Sequence, residues 1–134
     1  MRIKENIVET ILFVAAIFMC IGVQTIFPAC PPKDDGSFMV CHWAQQTICA
    51  MGGLMAAMSV IGLFTKSKDG KAAVSGCIAA ASAVTFFIPN IIIRLCMMNE
   101  MHCHAVMKPS VWVISVIIFL LSLINIFLKL KKTR

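Results

Sequence analysis

Four apolar runs, at roughly 7–27, 43–64, 72–93 and 111–128, decide what this chain can become. Each is close to the ~20 residues that an α-helix needs to cross a hydrocarbon core of ~30 Å. Inside lipid every backbone polar group must be satisfied within the protein, so runs of this length become helices. Composition agrees: 60% of the residues are hydrophobic and 13% charged, against roughly 45–50% and about 25% in soluble domains. The expected fold class is an all-α membrane protein, a four-helix transmembrane bundle forming a single domain over 1–134. No connection between the runs is long enough for a separate soluble domain.

The formal charge of +6 raises the question of nucleic acid, which the distribution of charge answers. Arg2 and Lys4 precede the first run, Lys66, Lys68 and Lys71 separate the second from the third, and Lys129, Lys131, Lys132 and Arg134 follow the fourth. Lys33, Arg94 and Lys108 alone fall in the other two connections, so nine of the twelve basic residues lie at one end. By the positive-inside rule that end is cytoplasmic, with both termini inside and the first and third connections outside. The basic surplus therefore reads as topology and contact with anionic lipid, with no nucleic-acid partner. The first run exceeds the ~7–15 residues of a signal h-region, and Phe27-Pro28 is a poor approach to a cleavage site, so it is expected to be retained.

Texture separates the helices. Glu5, Asn6, Glu9 and Thr10 give the first a polar opening, and Phe27-Pro28 ends it, because proline lacks the backbone donor that a continuing helix needs. In the second, Gly52/Ala56 and Gly53/Ala57 are small-xxx-small pairs, which let helix backbones approach closely in lipid. Ala72/Gly76/Ala80 and Ala79/Ala83 repeat the pattern on the third. Helices two and three are thus expected to form the packed centre, with the Ile/Leu/Val/Phe-rich fourth largely facing lipid. Arg94 is expected near the outer boundary, its long side chain reaching the headgroups.

The two outer connections share a pattern. Met39-Val40-Cys41-His42 and Met101-His102-Cys103-His104 each read Met-x-Cys-His, each follows an upstream cysteine (Cys30, Cys96), and together they hold all three histidines. Each half is then helix, cysteine-bearing loop, helix, as in parallel repeats related by an axis along the membrane normal. Cys20, Cys49 and Cys77 fall within the runs and are expected to be small buried apolar residues. Cys30, Cys41, Cys96 and Cys103 lie on the oxidising side, where an even number favours disulfides in any of three pairings. Pairing within each loop would close about ten and about six intervening residues, stabilising by roughly 2–3 kcal/mol each.

Two chemistries compete for those sulfurs. Thiolate and thioether ligands suit Cu(I), and imidazole suits zinc, copper and iron. His42, His102, His104, Met39 and Met101, with Met97 and Met98 beside them, would therefore offer copper, zinc or haem a site if the loops meet, although no tight Cys-x-x-Cys or His-x-x-x-His spacing exists. A histidine cation beside Cys41 or Cys103 would also favour its thiolate, as thiol redox chemistry requires. Four helices with two outer cysteine pairs resemble DsbB-type quinone-linked disulfide oxidases and, more loosely, vitamin K epoxide reductases. Those families use a Cys-x-x-Cys that neither pair here has, so no residue is carried over.

At the level of motifs, Phe38-Met39-Val40-Cys41-His42-Trp43 with Gln45, then Cys96-Met97-Met98 and Met101-His102-Cys103-His104-Ala105-Val106-Met107-Lys108-Pro109, resemble a bacterial family of small four-helix membrane proteins known as a domain of unknown function. The resemblance covers nearly the whole chain. It implies a multi-pass protein of the cell membrane, and a loose association with ABC-type export systems as a class of partner. The sequence has no serine-histidine-acid set, phosphate-binding glycine loop or intramembrane carboxylate pair, so hydrolysis and proton-coupled transport lose support. The expectation is a non-enzymatic accessory or interaction subunit with a disulfide-stapled outer cap and no cofactor, contacting lipid and a membrane-protein partner or further copies of itself.

Overall fold

A computed structural model describes residues 2–27, 34–37, 40–89, 91–94 and 103–134, with the backbone alone for Arg2, Glu5, Cys103, His104 and Thr133. Four helices form: α1 (Arg2–Thr25), α2 (Val40–Phe64), α3 (Lys68–Phe87) and α4 (Lys108–Thr133), the last entered through a π-helical turn at Cys103–Met107. Each contains a stretch long and apolar enough to cross a membrane. The chain is therefore a multi-pass membrane protein of four transmembrane helices, and no strand forms among the described residues.

The helices begin before the apolar runs because the boundary chemistry suits a helix start. Ser67 caps α3, its hydroxyl accepting a hydrogen bond from the Gly70 amide at 3.3 Å, and Asp69 in the first turn complements the helix dipole. Pro109 occupies the first turn of α4, where its missing N–H costs nothing. At the other end of α3, Pro89 cannot continue the helix, which ends at Phe87 rather than at 93. The chain closes there by wide turns, Ile92 N–H donating to the Phe87 carbonyl at 3.2 Å and Ile93 N–H to Ile88 at 3.0 Å.

Buried positions recur every three or four residues along each helix. On α1 they are Glu9, Leu12, Ala16, Met19 and Val23; on α4 they are Val111, Ser115, Ile118, Ser122, Asn125 and Lys129. A spacing near 3.5 residues holds one seam of each helix against its neighbours, as in left-handed bundles. The core is graded along its length. Met19, Val23, Ile48, Ile88, Met107 and Val111 fill the end nearest the Met-x-Cys-His segments, whereas Glu9, Ser59, Ser75, Asn125 and Lys129 occupy the basic end.

One packing expectation is overturned. The most extensive pairings are α1 with α2 and α3 with α4, not α2 with α3. A Cβ placed on Gly52 would lie 3.0 Å from the Ala16 carbonyl oxygen and 3.3 Å from Cys20 Cβ, so the small residue serves the α1 seam. The fourth helix is largely outward-facing, as expected: Val113, Val116, Ile117, Leu120, Ile124 and Phe127 turn outward, while a narrow polar series turns inward. Lipid accepts the apolar face, and the polar one is left to the bundle.

Candidate functional site

At the end opposite the basic one, the two Cys-His pairs occupy corresponding places in their hairpins. Cys41 and His42 lie in the first turn of α2, and Cys103 and His104 open the π turn that leads into α4. Cys41 is fully buried in the core cluster that also contains Met107 and Val111. His42 is half-buried, its ring edge-on to Trp43 at 6.1 Å between centroids. Behind them Gln45 Nε2 donates to Gln24 Oε1 at 2.9 Å, joining α2 to α1. Met39, Met101, His102, Cys30 and Cys96 lie outside the described residues, as do the side chains of Cys103 and His104. Among the described residues no group of three or more His, Cys, Asp or Glu side chains is placed to hold a metal ion.

The same end carries the anchors of the fold. Lys108 Nζ sits 4.8 Å above the Trp112 ring, and Trp112 stacks on Phe86 with centroids 5.3 Å apart. Trp43 is exposed near the start of α2, so both tryptophans mark one level of the bundle. Tryptophans favour the interface, where an amphipathic ring meets headgroups. Arg94 is exposed beyond α3.

The cysteines within the helices behave differently from the reading of their composition. Cys20 and Cys49 form a disulfide between α1 and α2, with Cα atoms 4.1 Å apart. The expectation of two small apolar thiols is therefore corrected. The same close approach that Gly52 allows, one turn further along α2, brings the two sulfurs together. Cys77 is not buried but exposed on the outer face of α3.

The strongest electrostatic feature lies at the basic end, and it was not anticipated. Lys129 Nζ donates to Glu9 Oε1 at 2.8 Å, both side chains being at most 4% exposed, and Lys71 Nζ stands 3.8 Å from Glu9 Oε2. Ser75 Oγ is 3.3 Å from Lys129 Nζ and 3.0 Å from Asn125 Nδ2, while Lys71 also reaches Asn6 Oδ1 at 3.3 Å. One carboxylate thus holds cations from α3 and α4 around α1. The hydrophobic stretch of α1 begins at Asn6, so Glu9 lies about 4.5 Å inside it at 1.5 Å per residue. Above this cluster Asn125 Oδ1, Ser122 Oγ and Ser115 Oγ are buried without a hydrogen-bond partner among the described residues.

The cavities differ in kind. Between α3 and α4 an apolar groove of about 310 Å³ is lined by Ser82, Phe86, Phe87, Ser115 and Phe119. At the basic end a larger recess of about 470 Å³ is lined mainly by lysines. Neither carries a nucleophile paired with a base.

No curated protein sequence and no solved structure matches the chain. A family model described as a domain of unknown function (DUF4418) matches residues 12–128, so the chain belongs to that family.

Proposed function

We propose that this member of the DUF4418 family is a non-enzymatic accessory or interaction subunit of a larger assembly in the cell membrane, with both termini in the cytoplasm. The observation that carries the reading is an open seam on α2. Ala50, Gly53 and Ala57 face outward along one side of the helix, and a Cβ added to Gly53 would meet no atom within 4 Å. Small residues on a lipid-facing helix permit backbone-to-backbone packing with another helix, which large side chains would prevent. Inside the bundle, by contrast, the charged groups of Glu9, Lys71 and Lys129 are spent on one another.

The occupant of the seam is a transmembrane helix of another subunit, and the membrane domain of an ABC-type exporter is one class that would present it. Orientation follows from the basic residues, nine of twelve at the end that holds the termini and the turn between α2 and α3. The test is the size of the assembly. Purified from its native membrane in mild detergent, the protein should run as a stoichiometric complex larger than one chain. A Gly53→Ile/Ala57→Ile variant should run as the single chain with its thermal midpoint retained. A wild type that runs as the single chain would overturn the proposal.

A further inference from the structure

The recess at the basic end points to a ligand that the assembly proposed above does not require. Four lysines from two separate parts of the sequence line it: Lys66, Lys68 and Lys71 in and just after the turn between α2 and α3, and Lys132 near the end of α4. Lysines that only set topology have no reason to converge on one concavity. The volume, about 470 Å³, suits a group of several heavy atoms rather than a lone ion. Glu9 is shared between Lys129 at 2.8 Å and Lys71 at 3.8 Å, so it offsets at most one of the four charges that line the recess. Lys71 is also steadied by Asn6 Oδ1 at 3.3 Å, which holds the floor of the recess in place.

The depth of the recess names the source of the anion. Leu63 lines it beside the lysines, and Phe64, next in sequence, is 82% exposed. Both residues end α2, where the apolar span meets the headgroup zone. A phosphate seated among ammonium groups there has apolar surface beneath it for a glycerol backbone and the first carbons of its acyl chains. Each lysine presents a compact charge with three donors, and basic pockets between transmembrane helices hold phosphate headgroups in this way.

We propose that this recess binds the phosphodiester headgroup of an anionic phospholipid. The delipidated full chain, offered phosphatidylglycerol or phosphatidylcholine at equal concentration and examined by native mass spectrometry, should retain phosphatidylglycerol at least about tenfold more strongly. A Lys66→Gln/Lys68→Gln/Lys132→Gln variant should lose that preference while remaining folded, because Lys71 and the Glu9 pair are untouched. Lys4→Gln, whose lysine is exposed on α1 and lines no part of the recess, should keep it. Equal retention of the two lipids, or a triple variant that still prefers phosphatidylglycerol, would overturn the proposal. Displacement of the lipid by inorganic phosphate would overturn it too, by assigning the lysines to a soluble phosphate.

Discussion

Glu9 and Lys129 illustrate how far one pair of residues can constrain a membrane bundle. A charge left alone in such surroundings is costly, so removing one partner of a buried pair destabilises by roughly 3–5 kcal/mol. Lys129→Met should fall at the lower end of that range, because Lys71, 3.8 Å from the same carboxylate, remains to share it. Glu9→Gln/Lys129→Met should recover most of the loss, since no unpaired charge then remains. Denaturant titration in detergent, run as a double-mutant cycle, measures both. A single variant as stable as the wild type would mean that water reaches the pair. The sequence carried a signal for this site: Glu9 stands in register with Leu12, Ala16, Met19 and Val23, and Lys129 with Ser122 and Asn125. Reading each as a flanking charge at the edge of an apolar run concealed that register.

Helices are where the sequence was most and least informative. Their number and approximate positions follow from backbone hydrogen bonding in lipid, which leaves an apolar run of this length little else to do. Which helix pairs with which does not follow from counting small residues. Gly52 and Gly53 are adjacent, yet one meets the Ala16 carbonyl and the other points into open space. A turn of about 100° separates neighbouring positions on a helix, so the faces must be known before a small pair can be assigned a partner. Substitution exploits this difference. Gly52→Leu should force α1 from α2, costing roughly 1–3 kcal/mol by overpacking. It should also lower the fraction of chains oxidised at Cys20–Cys49, measured by non-reducing mass spectrometry. Undiminished oxidation would show that the seam yields without separating. That disulfide was illegible for the same reason, since cysteines 29 residues apart, each deep in an apolar run, give no spacing to read.

At the scale of the molecule, charge gives direction to an otherwise near-symmetric layout of two hairpins. Lys66 and Lys68 flank one turn, whereas Asp34 and Asp35 mark the connection at the opposite end. Under the proposed orientation, alkaline phosphatase fused after Ser37 should be active, and a fluorescent protein fused after Arg134 should fold and fluoresce. The reverse pattern would invert the protein in the membrane. The architecture was legible because the hydrophobic and charge patterns are properties of whole segments. Of the two Met-x-Cys-His segments, the described residues place Cys41 and Cys103 at the starts of α2 and of the π turn before α4. The groups at the basic end were not legible, because their chemistry arises only when residues 120 positions apart meet.

That separation has a consequence in time. Glu9 is synthesised with the first helix and Lys129 near the end of the fourth. Throughout synthesis of the first three helices the carboxylate therefore waits without its closest cation, and α1 cannot reach its final state until α4 has arrived. A nascent chain arrested before that point would leave the carboxylate to Lys71 alone, at 3.8 Å. The ion pair is thus a fastening that closes only once all four helices are present.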